Sequence, residues 1–264
     1  VLRLYPRPRA SITILAALGD LGHILTFFDY TRKKCGDRLK AFEMIPRIAM
    51  ELVVTHIPGI INPFTGMHTC YVLLELTSPR VEDDLRNEIE NLLQQAFDDG
   101  VIMDAVIAES ETQALQFWKI REEIPRAQSE EGGSLKHDIA VPVSSCVDFI
   151  NKASHLVEME MPGIRVCAFG HIGDGNIHFN LTQPVESDKD VFLQRQGDFN
   201  RIVHDLVVSM NGSISAEHGI GLSKRDELIH YASAVEINLM QQIKRALDPH
   251  NRMIPGKIVH PNPP

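Results

Sequence analysis

Basic charge is scarce. Lys and Arg total 26 against 35 Asp and Glu, a net charge of −9 that argues against a nucleic-acid backbone as partner. No apolar run approaches the roughly 20 residues a membrane span needs. There are only four cysteines, Cys35, Cys70, Cys146 and Cys167, far apart and without a CxxC pair. They therefore read as buried free thiols in a reducing compartment. No GxxxxGK[ST] is present, and Gly170-x-x-Gly173-x-Gly175 has the wrong order for GxGxxG, so neither a P-loop nor a dinucleotide fingerprint is written here. Val1 is not an initiator Met and no signal-peptide pattern follows it, which reads as a fragment or a processed chain. What remains is ordinary for a soluble globular protein. At 264 residues and 44% hydrophobic, the chain can bury a sizeable core as one large domain or two small ones.

Along the chain, short strands alternate with amphipathic helices. Val1 to Tyr5 and Ser11 to Leu18 read as strands, and Asp20 is placed to cap a helix running to about Lys34, with Leu21, Ile24, Leu25 and Phe28 inward. Leu39 to Met44 reads as extended, Arg47 to His56 as helical, and Tyr71 to Leu76 as a strand. From Val81 to Asp98, Leu85, Ile89, Leu92, Leu93, Ala96 and Phe97 recur at helical spacing, and Gly100 ends the pattern. Val101 to Ala108 is a strand, and Thr112 to about Glu130 a helix that Pro125 should kink or shorten. The alternation then restarts, with strands at His137 to Val143, Ile164 to Phe169 and Ile177 to Leu181, and helices at Cys146 to Met159, Phe192 to Met210 and Val235 to Leu247. Ser213 to Gly221 reads as a Gly-flanked loop or short strand. No exact sequence repeat is visible, but two successive blocks of strands and helices predict an α+β fold, an antiparallel sheet covered by helices mostly on one face.

One stretch carries chemistry more densely than any other. Residues 170–180 hold His171, His178, Gly170, Gly173, Gly175, Asn176 and Asn180 between apolar, alternating flanks. This predicts strand, tight turn, strand, with both histidines at the turn end, the start of a metal site. Glu217-His218 is the second cluster, and Arg121 with Lys136, on either side of a Gly-Gly turn, the third. Two imidazoles and one carboxylate leave an open position on a divalent ion and suit Zn, Mn, Co or Fe better than Ca or Mg. Glu217 is the expected carboxylate; Asp174 is set aside because a turn Asp bonds its own backbone. In an extended backbone Glu217 and His218 point opposite ways, but Gly219 and Gly221 permit a twist that turns both inward. On these residues alone the reaction stays open, and a metallohydrolase fits as well as anything, although no oxyanion-stabilising motif is recognisable.

The motifs Gly170-His171-Ile172-Gly173-Asp174-Gly175-Asn176-Ile177-His178, Ser215-Ala216-Glu217-His218-Gly219-Ile220-Gly221 followed by Lys224-Arg225, and Pro255-Gly256-Lys257 come in that order. With Leu4 to Pro8 and Ala41-Phe42-Glu43, they make the whole chain resemble the C-terminal, substrate-side domain of FAD-linked oxidases of the vanillyl-alcohol oxidase superfamily. Within it, the chain is similar to the branch acting on D-2-hydroxyglutarate or D-lactate. The resemblance implies an α+β fold like duplicated ferredoxin-like units. It also implies a flavoenzyme that oxidises a D-2-hydroxy acid, with FAD bound mainly by an N-terminal domain outside this chain. Residues 1–240 would be the substrate domain, and 241–264 a helix and tail packing on the FAD-binding domain. His171, His178 and Glu217 would bind a divalent metal, Zn or Mn. His218 would be the base, and Arg121, Lys136 and Asn180 would hold the substrate. The chain departs from the family at Pro125, a substrate-contacting Thr in some members, and at Ile254, where Asn often precedes Pro-Gly-Lys. The expected setting is the cytoplasm, or the mitochondrial matrix in a eukaryote. Apolar surface left where the other half would pack predicts self-association, as a homodimer at its simplest. Neither the metal nor the electron acceptor is specified by these motifs. Alone, the chain would be a non-catalytic binding or assembly module, since none of its residues provides a flavin.

Overall fold

The computed structural model describes residues 8–80 and 84–259. The expected strand at Val1 to Tyr5 and the start of the helix at Val81 lie outside them. The first half runs β1 (Ala10–Leu18), α1 (His23–Cys35), β2 (Leu39–Pro46), α2 (Arg47–His56), β3 (Cys70–Ser78), α3 (Leu85–Asp98) and β4 (Asp104–Ile107). After α4 (Glu111–Glu122), α5 (Ile124–Glu131) and β5 (Ser134–Leu135) come β6 (Asp138–Ala140), α6 (Cys146–Glu160), β7 (Arg165–His171) and β8 (Asn176–Thr182). The last elements are α7 (Lys189–Gln194), α8 (Gln196–Ser209), α9 (Arg225–Tyr231) and α10 (Ala234–Leu247).

The strands form one eight-stranded sheet in the order β4-β1-β3-β2-β7-β8-β5, with β6 also on β8, and every pairing is antiparallel. The first four strands, ordered β4-β1-β3-β2, make a βαββαβ unit of ferredoxin-like type with α2 inserted between β2 and β3. The second half repeats it: Ser213 bridges Ala140 on β6, β6 pairs β8, and β8 pairs β7. The two units join where β2 meets β7, through only two residue pairs, Glu43 with His171 and Met44 with Gly170.

The sheet is covered on both faces, not mostly on one. Even-numbered residues of β1 and β3, such as Ile14, Ala16, Val72 and Leu74, pack with α1, α3, α6 and α8. Odd-numbered Leu15, Ala17, Tyr71 and Leu73 pack with α2, α4 and α5. Strands buried on both sides read as continuous apolar runs, which is why β3 is so apolar. The long helix expected over 112–130 breaks at Glu123, with Pro125 in the first turn of α5, where a missing N–H costs nothing. The one expected over 192–210 breaks at Arg195 into α7 and α8. Phe97, expected inward, is 55% exposed, because the buried stripe of α3 runs through Leu85, Ile89, Leu92, Leu93 and Ala96. All four cysteines are free and buried, as expected.

Candidate active site

The glycine-histidine stretch folds as the β7–β8 hairpin, with a single 3-10 turn at Ile172–Asp174. Gly175 closes that turn in the left-handed region at φ +84°, and a Cβ there would sit 2.1 Å from the Val141 carbonyl oxygen, so the position requires glycine. Because side chains alternate along a strand, His171 and His178 share the face that carries Phe169, Cys167 and Glu43. The two imidazole rings lie 6.2 Å apart. His171 is half-buried and His178 more so, their side chains 37% and 14% exposed.

The Ser213–Gly221 segment is a loop that pairs with the sheet backbone at the Ser213 bridge. Asp138 holds it from β6: its Oδ2 accepts the backbone N–H groups of Ala216, Glu217 and His218 at 3.1, 2.9 and 2.9 Å. Lys224 Nζ donates to the carbonyls of Ile214 and Asp138 at 2.7 and 3.1 Å. Gly219 and Gly221 take φ values of +71° and +56°, so the loop twists as their presence suggested. Glu217 Oε1 lies 3.4 Å from His171 Nε2 and its Oε2 3.9 Å from His178 Nε2. The His218 ring stacks on that of His178 at 5.9 Å. Glu217 and His218 thus both face the histidine pair.

The cations separate. Arg121, at the end of α4, is buried; its Nε donates to Glu43 Oε2 at 2.9 Å and its guanidinium lies 4.7 Å over the Phe169 ring. Glu43 Oε1 meets His171 Nδ1 at 2.5 Å, so one buried carboxylate joins Arg121 to His171. Lys136 is exposed and lines a cavity of about 260 Å³ with His218, His204 and Lys224; Arg121 is not among its walls. Asn180 is buried and donates to Gln128 Oε1 on α5 at 2.8 Å, two residues along β8 from His178. A larger cavity of about 680 Å³ opens beside His171 and Glu43, walled by Phe28, Phe42, Arg32 and Lys40.

These contacts set the charge states. The Glu43 hydrogen bond raises the His171 pKa, whereas burial and the nearby Arg121 charge lower that of His178. Burial alone would raise Glu43, but its bonds to His171 and Arg121 outweigh that and hold it below the usual carboxylate range. Asp138 behaves alike: burial would raise it, and the N–H groups of His218 and Glu217 bring it down. In a tetrahedral site with ligand bonds of roughly 2.0–2.1 Å, donor atoms stand about 3.4 Å apart. One donor atom from each of His171, His178 and Glu217 lies within 4.8 Å of the others, so the trio fits one divalent ion with little movement. Asp138, His178 and His218 make a second such trio, but Oδ2 of Asp138 is already surrounded by three N–H groups.

Neither Glu43 nor Asp138 is assigned a role by the sequence motifs. Glu43 stood out only inside the matched Ala41-Phe42-Glu43 motif. The available signal was an acid alone in an apolar strand, since a carboxylate buried at 2% exposure needs partners.

The family model for FAD linked oxidases, C-terminal domain, matches residues 7–258. A mitochondrial D-2-hydroxyglutarate dehydrogenase of Arabidopsis thaliana is 33% identical over 229 residues, covering 86% of this chain and 39% of that protein. A D-2-hydroxyglutarate dehydrogenase of Xanthomonas citri pv. viticola is 35% identical over 259 residues, 97% of this chain and 53% of that one. The chain therefore spans about half or less of these curated relatives. Among solved structures, p-cresol methylhydroxylase with substrate bound superposes with a TM-score of 0.67 at 14% identity, over 98% of this chain and 55% of that one, a likeness of fold.

Proposed function

The chain belongs to the FAD-linked oxidases, as their C-terminal domain, and we propose that it is the substrate- and metal-binding half of an FAD-dependent dehydrogenase for D-2-hydroxy acids. The observation that carries this is the convergence of His171, His178 and Glu217, with His218 stacked on His178 and Arg121 held through the carboxylate that also holds His171. The names of the relatives favour D-2-hydroxyglutarate over D-lactate.

His171, His178 and Glu217 would hold the divalent ion, Zn or Mn, which supplies Lewis acidity to the substrate hydroxyl, while FAD supplies the hydride acceptor. Arg121, with Nε engaged by Glu43, takes a substrate carboxylate with its two terminal nitrogens. Lys136 adds a second positive charge on the His218 side, which suits a dicarboxylate. Asn180, two residues along β8 from His178, would contribute its side-chain amide. His218 is 64% exposed, open to substrate, and takes the C2 hydroxyl proton as general base.

The helix α10 and the described residues that follow it, up to Val259, would pack on the FAD-binding half. Val235, Leu239, Ile243 and Leu247 recur every four residues and are each more than half exposed, an apolar stripe that would otherwise meet water or a second copy in a homodimer. Among the described residues no helix is long and apolar enough to cross a membrane.

The test is dye-linked oxidation by the full-length protein. D-2-hydroxyglutarate should reduce the dye, D-lactate less well, and His218→Ala should lower turnover by roughly 10²–10⁴. Undiminished turnover in that variant would remove His218 from the base role; faster turnover of D-lactate would overturn the dicarboxylate preference.

A further inference from the structure

Two buried acids face the Nδ1 atoms of the two histidines, one bonded to its ring and the other just beyond hydrogen-bond reach. Glu43, on β2 of the first unit, meets His171 at Nδ1, 2.5 Å from its Oε1. Asp138, on β6 of the second, sets Oδ1 3.7 Å from His178 Nδ1. Each carboxylate is 2% exposed. On each histidine the opposite nitrogen, Nε2, faces Glu217, at 3.4 Å for His171 and 3.9 Å for His178. Asp138 Oδ1 is buried and has no hydrogen-bond partner among the described residues. Its other oxygen is filled by the three N–H groups of the 216–218 segment. A buried carboxylate oxygen left open is costly, and the nearby donor that can satisfy it is the Nδ1–H of His178.

We propose that Glu43 and Asp138 are the positioning residues of this site: each takes the Nδ1–H of one histidine and so presents Nε2 of both to an ion shared with Glu217. A neutral imidazole carries one proton, and the hydrogen bond made by one nitrogen decides which one is free to ligate. Each acid also ties its histidine to a second functional element. Glu43 links His171 to the carboxylate clamp Arg121, so filling the ion site and seating a substrate carboxylate both act on one side chain. Asp138 links His178 to the backbone that carries Glu217 and His218. The inference rests on the metal site proposed above, but the tautomers themselves exist without any ion.

The first measurement therefore uses the metal-free chain, with ¹⁵N-labelled histidine and two-bond ¹⁵N–¹H correlation at a pH where both rings are neutral. Both His171 and His178 should show the Nδ1–H tautomer. An Nε2–H tautomer on either ring overturns the assignment for its acid, with no variant needed. The second measurement titrates Zn²⁺ alone into the wild type, Glu43→Gln and Asp138→Asn, following the ¹⁵N shifts and the calorimetric affinity. Both Nε2 resonances should move in the wild type, and each variant should bind zinc about 10–100-fold more weakly. Wild-type affinity in both variants, or ligation of His178 through Nδ1, as a site built on Asp138 and His218 would require, overturns the proposal. Absence of zinc binding in a wild type that shows both Nδ1–H tautomers would instead sink the metal reading and leave the two acids as holders of the rings. Glu43→Asp, which keeps the charge but shortens the reach, should recover part of the zinc affinity if Glu43→Gln proves too unstable to titrate.

Discussion

Replacing Gly175 by alanine probes the turn that brings the two histidines together. Three costs combine. An L-residue in the left-handed region, at the φ of +84° found here, loses roughly 1–2 kcal/mol. The new Cβ would lie 2.1 Å from the Val141 carbonyl oxygen, so backbone must move, an overpacking cost of roughly 1–3 kcal/mol. That movement weakens the bond from Val141 N–H to the Gly175 carbonyl, 3.0 Å long and worth roughly 1 kcal/mol. The sum is about 3–6 kcal/mol, a fall in Tm on the order of 10 °C. Gly197→Ala is the control. Gly197 lies inside α8 with nothing within 4 Å of a built Cβ, and alanine there should gain roughly 0.5–1 kcal/mol. Urea unfolding followed by circular dichroism compares the two, and zinc uptake by the folded fraction of Gly175→Ala should fall with the turn. A Gly175→Ala midpoint level with the wild type or with the control would refute the reasoning.

Three further perturbations test other parts of the fold. His137 is buried, with its pKa pushed down to about 4, so the unfolded chain binds the extra proton first and stability rises with pH. Between pH 4 and 6.5 this one group should change unfolding free energy by about 3 kcal/mol, and a His137→Asn variant whose urea midpoints keep the same pH slope would disprove that source. Burial pushes Cys35 up to about 11 and Cys70, Cys146 and Cys167 up to about 12, so a thiol reagent should colour only the denatured chain; a fast native thiol contradicts this. Arg121→Met leaves Glu43 buried with one cationic partner fewer and should cost about 3–5 kcal/mol, most of it recovered when Glu43→Gln is added. Additive losses in that cycle would show that the two side chains are not coupled.

What the sequence made legible was local. Arg47 to His56 is a helix at the expected ends because its apolar residues recur at helical spacing between Pro46 and Ile57. The hairpin was readable from Gly175 and the alternation through Ile177, Phe179 and Leu181, and the twist of the Glu217 loop from Gly219 and Gly221. What stayed hidden was long-range. Glu43 reaches Arg121 across 78 residues and His171 across 128, and a single acid in a strand carries no periodic signal. Asp138 sits in a three-residue strand whose importance appears only when the 216–218 backbone folds onto it. The helix break at Arg195 has no proline or glycine beside it on its N-terminal side to announce it; Asp188 caps α7, and a second helix restarts at Gln196.

The narrow join between β2 and β7 has a consequence for how this site is inherited. Since neighbouring residues on a strand point to opposite faces, sliding β7 by one position against β2 would turn His171 away from Glu43 and disturb the core clusters that the two units share. Two backbone pairs set that alignment, and Glu43, bonded to His171 and to an Arg121 that lies over Phe169, reinforces it. Conserving the histidines and the acids is therefore not enough to conserve the chemistry: the spacing between the two halves is itself a functional trait. A one-residue insertion or deletion between Glu111 and Arg165 that shifts this alignment would part His171 from Glu43.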